Sequence, residues 1–144
     1  MTVVWGMTVD CADPARLAAF WREALGYVDA PVPGGFASWE EWLVRWEVPR
    51  EEWNDGAYLV DPRGVGPSVS FLRVPEPKVV KNRLHIDIKA GGRDEPQEVR
   101  WPRVTETVRR LTEAGATVVS QDVVDGVPSH VVMADPEGNE FCVV

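Results

Sequence analysis

An α+β fold of two tandem βαβββ repeats is predicted by three features of the 144-residue chain. Both halves follow one order of elements: a strand, a helix, then three strands. The segment LVDPRG in the first half is answered by MADPEG in the second, a self-similarity at a period of about seventy residues that marks an internal duplication. Each half also has one main helix for one sheet, which leaves the opposite sheet face open. Two such sheets brought together are expected to form a curved half-barrel, with helices outside and a cleft inside. A single domain is expected over 1–144, with repeat 1 at about 1–75, a proline-containing linker at 76–80 and repeat 2 at about 81–144.

The first strand lies in VVWGMTVDCADP, where Val3, Trp5, Met7 and Val9 alternate with polar or small residues. Asp13 then supplies an N-cap, and Pro14 takes the first helical position, where a missing N–H costs nothing. The helix ARLAAFWREALGY carries an apolar stripe of Leu17, Phe20, Trp21 and Leu25, and Gly26 ends it. After the turn PVPGG, SWEEWLVRWEV places Trp39, Trp42 and Trp46 at near-helical spacing. Ser38 and Glu41 make a capping-box pattern there, and Pro49 stops the run. PREEWNDG reads as a further short helical turn; AYLV and SVSFLRV are strands around the turn DPRGVGP.

In the second half RLHIDIKA alternates strictly. Leu84, Ile86 and Ile88 are expected under a helix; Arg83, His85, Asp87 and Lys89 face the other way. GGRDEPQEVRW reads as a loop, and the next helix is expected to start at Pro102, with Val104, Val108 and Leu111 buried and Gly115 as its cap. TVV is a short strand, VVDGV a turn region, and SHVVMA and FCVV are strands flanking DPEGNE. DPRG and DPEG are turns by composition. The residue before proline is held extended and glycine takes positive φ, so these segments carry structure and no catalysis.

Composition narrows the function. Lys plus Arg number 15 against 23 for Asp plus Glu, a formal charge of −8, which repels phosphate backbones and anionic membrane surfaces. Neither nucleic acid nor membrane is expected as a partner. Two cysteines, Cys11 and Cys142, are too few for a disulfide framework. With no signal-like N-terminus and no apolar run near the roughly 20 residues of a membrane span, a cytoplasmic protein is expected. No phosphate loop, nucleophile elbow, HExxH or CxxC is present. Tryptophan is in excess at seven residues, and four of them (Trp39, Trp42, Trp46 and Trp53) cluster in one insertion. Such a cluster suits a cleft wall stacking on a flat ligand, an interface, or ordinary core covering the sheet edge.

DPARLAAFWREALGY (13–27), KNRLHIDI (81–88), LTEAGATVV (111–119) and MADPEGNEFCVV (133–144) resemble the vicinal oxygen chelate superfamily. That group contains glyoxalase I, extradiol dioxygenases and bleomycin-resistance proteins. The pattern is similar in particular to glyoxalase-like proteins sharing FLRVPEPKVVKNRLHIDI and DPEGNEFCVV. The resemblance implies that metal ligands come from the first and last strands of each repeat. His85 holds the first-strand position of repeat 2, and Cys142 stands where a last-strand glutamate is usual. In repeat 1 the corresponding positions are Gly6 and Ser70, or Phe71 in the neighbouring register.

With donors missing from repeat 1, no tightly bound metal is expected. A divalent metal, if held, would take His85, Cys142 and Glu140. The candidate catalytic residues are His85, Asp87 and Glu140, with Asp87 orienting the imidazole and a carboxylate available for proton transfer beside a carbonyl. Cys142 has no neighbouring positive charge in sequence to activate it and reads as a small apolar residue. Cys11 has no expected chemical role, and His130 is expected in solvent at a strand edge. The expected ligand-binding set is Thr8, Trp39, Trp42, Trp46, Ser70, His85 and Cys142.

The function so implied is that of a glyoxalase-like protein that binds, sequesters or transforms a small apolar or aromatic metabolite in the cleft between repeats. The alternatives are a metal-dependent lyase, isomerase or dioxygenase acting on vicinal oxygens, or a non-catalytic dimerising subunit. The resemblance also implies a homodimer.

Overall fold

The computed structural model of the chain describes residues 1–92 and 94–144; Arg93, in the loop expected before the last helix, lies outside them. Among the described residues it is an α+β structure of two open four-stranded mixed sheets and three α-helices. The chain divides into two compact units, residues 1–22 with 26–77, and residues 23–25 with 78–144. No helix among the described residues is long and apolar enough to cross a membrane.

In the first repeat, β1 (Gly6–Cys11), β2 (Val28–Asp29), β3 (Gly56–Val60) and β4 (Ser68–Arg73) form a sheet in the order β1-β4-β3-β2. β1 runs parallel to β4, and the other pairs are antiparallel. Helix α1 (Pro14–Leu25) starts where the Asp13 carboxylate accepts the Arg16 N–H at 3.3 Å, and ends at Gly26 with φ 67°. Leu17, Phe20 and Trp21 of α1 are buried, as are Leu59, Val69 and Phe71 on one face of the sheet. These supply the apolar burial that stabilises the repeat. On the other face, Thr8, Ser70 and Tyr58 lie side by side across three strands.

The tryptophan-rich insertion between β2 and β3 is helical, as its spacing predicts: α2 (Trp39–Arg45) is followed by a 3-10 turn (Arg50–Glu52). Ser38 caps α2 by accepting the Glu41 N–H at 3.0 Å, while the Glu41 carboxylate reaches back to the Ala37 N–H at 2.7 Å. The helix ends before Pro49 can act. Val48 N–H donates to Leu43 and Glu47 N–H to Val44, with Glu47 at φ 53°, which is a Schellman motif.

In the second repeat, β5 (Asp87–Ile88), β6 (Thr117–Val124), β7 (Val127–Ala134) and β8 (Glu140–Val143) form a sheet in the order β5-β8-β7-β6. Helix α3 (Gln97–Glu113) lies against β6, β7 and β8. Val104 and Leu111 of the helix and Val131, Met133, Phe141 and Val143 of the sheet are all buried.

Three expectations are corrected here. Helix α3 begins at Gln97, five residues before Pro102, which falls in its second turn. The Gln97 amide and the Arg100 guanidinium donate to the Pro128 and Ser129 carbonyls at 2.8 and 3.0 Å, anchoring the first turn from outside the helix. Strand β6 is eight residues long, because Asp125 and Gly126, both at positive φ, make a two-residue hairpin turn that carries its pairing with β7 to the tip. Finally, Leu84 is 87% exposed. Sequence alternation runs from 83 to 89, but the paired register covers only Asp87 and Ile88, with the Ile86 carbonyl accepting the Cys142 N–H; Leu84 falls opposite Asn139, before β8 begins.

The two DPxG turns are built alike. The buried Asp61 carboxylate accepts the N–H groups of Arg63 and Gly66 at 2.9 and 2.8 Å, and buried Asp135 accepts those of Glu137 and Asn139, both at 2.9 Å. Gly64 and Gly138 close the turns onto the carbonyls of Asp61 and Asp135, at φ 68° and 85°.

Candidate functional site

The open face of the first sheet becomes a site because α2 is laid beside it. Trp39 and Trp42 lie one helical turn apart and meet edge to face, with centroids 5.7 Å apart. Trp39 also stacks on Tyr58 of β3 at 6.0 Å and 26°. The indole N–H of Trp39 donates to the Ala30 carbonyl at 3.1 Å, and that of Trp53 to Val48 at 2.9 Å. Both rings are thereby fixed with their polar edges satisfied. A cavity of about 620 Å³ results, walled by Trp39, Trp42, Trp53, Tyr58, Leu43 and Leu72, with Asp29, Glu52 and Asp55 also on its lining.

The expected first-repeat residues divide. Trp39 and Trp42 line the cavity. Thr8 and Ser70 share the sheet face of Tyr58, with Ser70 directly opposite both Thr8 and Tyr58, but they are not among the lining residues. Trp46 is also outside the cavity; it is 59% exposed, with the Arg45 guanidinium over its ring at 5.5 Å. Gly6 brings no donor of its own, and a Cβ there would stand 2.6 Å from Ser68 Oγ, so a larger residue would need the Ser68 side chain to turn away. Tyr58 was not singled out from the sequence, although AYLV alternation places it opposite in sense to buried Leu59.

In the second repeat, Asp87 pairs in register with Cys142, matching the Thr8–Ser70 pair of the first. The alternation expected for RLHIDIKA holds at the site, and His85 comes to the same place. Its Nδ1 lies 3.9 Å from Cys142 Sγ and 3.5 Å from Asp87 Oδ1. One donor atom from each of His85, Asp87 and Cys142 falls within 4.8 Å of the others. A tetrahedral zinc with ordinary Zn–N, Zn–O and Zn–S bonds separates its ligand atoms by about 3.3 to 3.6 Å. The donor set therefore fits a divalent cation after small adjustment.

Asp87, rather than Glu140, completes that set. Glu140 lies on the Cys142 face but its carboxylate is bound by the Lys81 ammonium, which holds its pKa below the usual range. The Cys142 thiol is pushed up, first by burial and then by the charges of Asp87, Asp122 and Glu140. As an unaided nucleophile it is poorly activated; a cation among these groups would reverse that electrostatic balance.

His130 is the second departure from expectation. Instead of standing in solvent, it sits within β7 with its side chain 30% exposed, and its Nε2 is 2.7 Å from Asp122 Oδ2. The pairings Asp122–His130 and Val132–Cys142 put this His–Asp pair on the same sheet face as Cys142. The hairpin register decides this, and SHVVMA alone does not reveal it.

Comparison with known proteins bears on the fold. The chain is similar to a glyoxalase/bleomycin resistance protein/dioxygenase family enzyme from Burkholderia phytofirmans PsJN, at 14% identity, 98% and 97% coverage of the two chains and TM-score 0.61. It is similar to a mutant of the fosfomycin resistance protein FosX from Listeria monocytogenes complexed with Mn(II) and dihydroxypropylphosphonic acid, at 12% identity, 99% and 89% coverage and TM-score 0.60. A glyoxalase-related enzyme from Fulvimarina pelagi matches at 13% identity, 99% and 87% coverage and TM-score 0.58. No curated protein matches the chain. At these identities the likeness is one of fold. The model of the glyoxalase-like domain family matches residues 6–144, nearly the whole sequence and both βαβββ repeats, so the chain belongs to the glyoxalase-like domain family.

Proposed function

We propose that this protein binds a small apolar or aromatic molecule against the aromatic wall of its first repeat. The observation that carries the reading is the cavity of about 620 Å³ walled by Trp39, Trp42, Trp53 and Tyr58. Its size falls within the range of small-molecule sites, roughly 300–1,000 Å³, and such sites are mainly apolar with a few placed polar groups. Rings held by indole N–H bonds to backbone carbonyls present a formed surface, so little ordering cost opposes binding. Titration with the uncharged fluorophore N-phenyl-1-naphthylamine tests the reading. Saturable enhancement that weakens at least several-fold in Trp39→Leu is expected. Equal affinity in the two proteins would overturn it.

A second reading rests on the second repeat. His85, Asp87 and Cys142 offer imidazole, carboxylate and thiol to one point, a combination suited to zinc more than to harder cations. Such an ion would supply Lewis-acid polarisation of ligand oxygens. In its absence, His85 is the group placed to move a proton, with its Nδ1 facing Asp87 and Cys142. Zinc binding by the purified chain, lost in His85→Ala, is the result that supports this reading.

A further inference from the structure

We infer that the first-repeat cavity selects an organic cation, a ligand with an apolar or aromatic body carrying an ammonium group. The inference rests on the proposal that this cavity binds a small molecule, and adds the charge of that molecule. Among the described residues its lining holds three carboxylates, Asp29, Glu52 and Asp55, and no lysine or arginine. Arg22 pairs with Asp29 at 2.8 Å and Arg73 with Asp55 at 3.4 Å, from outside the lining. Glu52 has no ion-pair partner among the described residues. Arg50, over the Trp53 ring, is itself paired with Glu40 at 3.9 Å, so the charge of Glu52 is the one left uncompensated at the lining.

The walls point the same way. Trp39 and Trp53 spend their N–H groups on backbone carbonyls, so neither indole offers a ligand a donor. A cation finds ring quadrupoles and a carboxylate, whereas an anion meets that carboxylate as a repulsion. The insertion already shows the preference in its own contacts, with the Arg50 guanidinium 4.7 Å from the Trp53 ring centroid and Arg45 5.5 Å from that of Trp46. The net charge of −8 favours approach of the same class of ligand.

The test compares phenyltrimethylammonium with its uncharged isostere tert-butylbenzene, by quenching of tryptophan fluorescence in the whole chain. The cation is expected to bind about five- to ten-fold more tightly than the isostere. Glu52→Gln, an exposed substitution outside the buried core, is expected to narrow the gap between the two probes several-fold, chiefly by weakening the cation. Trp39→Leu is expected to weaken both. Equal or tighter binding of tert-butylbenzene overturns the charge selection while leaving the cavity as an apolar site. A cation preference undiminished in Glu52→Gln overturns it as well. Binding of neither probe removes both the inference and the reading it rests on.

Discussion

The indole of Trp39 stacks on the phenol ring of Tyr58, with centroids 6.0 Å apart and planes inclined by 26°. This contact joins the insertion helix α2 to strand β3 and makes one wall of the cavity from the two. Tyr58→Ala is therefore expected to weaken N-phenyl-1-naphthylamine binding several-fold. The lost ring pair should lower unfolding stability by about 0.5–1.5 kcal/mol beyond the area term. Tyr58→Phe keeps the ring and should retain both. Urea unfolding and probe titration of the two variants check this.

For the second repeat, the expected outcome is one zinc ion per chain, measured by competition with a chromophoric chelator. Cys142→Ala or Asp87→Asn should weaken it by about ten-fold or more, since three donors leave no spare ligand. Glu140→Gln should leave zinc affinity unaltered, because that carboxylate is engaged by Lys81. A large loss in Glu140→Gln would move the site from Asp87 to Glu140.

Phe71, fully buried between Val9 and Ala57 on neighbouring strands, tests the packing. Phe71→Ala removes a ring from a face with no solvent access and should cost about 3–5 kcal/mol in urea unfolding. A cost below about 1 kcal/mol would show that the first sheet packs otherwise.

Asp61 links stability to pH. Hydrogen bonds from the Gly66 and Arg63 N–H groups, followed in effect by the Arg63 guanidinium, hold its pKa at about 2. A folded value below the unfolded one, about 3.9, means stabilisation that is complete above the unfolded value and is lost as pH falls through the folded value. The melting temperature of the wild type should fall more steeply between pH 4 and 2 than that of Asp61→Asn, which has no carboxylate to titrate there. Parallel slopes would contradict the assignment.

The repeat was legible in the sequence because its cues are local. DPRG and DPEG need only an aspartate to accept nearby N–H groups and a glycine at positive φ, and both turns form that way. The placement of His85 and Asp87 on one face followed from alternation, and α2 from Ser38, Glu41 and the tryptophan spacing. What escaped depends on partners remote in sequence. Leu84 has no ladder because β8 begins too late, and His130 meets Asp122 only through the hairpin register. Tyr58 enters the cavity because α2 lies beside its strand, and Trp46, one turn beyond Trp42, points out of it. Helical spacing relates three of the four tryptophans in the insertion; only the docking of that insertion sorts wall from surface.

The most direct test of the cavity as a ligand site is the equilibrium affinity of N-phenyl-1-naphthylamine for the wild type and for Trp39→Leu, with far-UV circular dichroism as the folding control. A saturable site in the wild type, weakened at least about five-fold in a variant of unchanged fold, is the predicted result. Unchanged affinity in Trp39→Leu, or no saturable binding in the wild type, would contradict it.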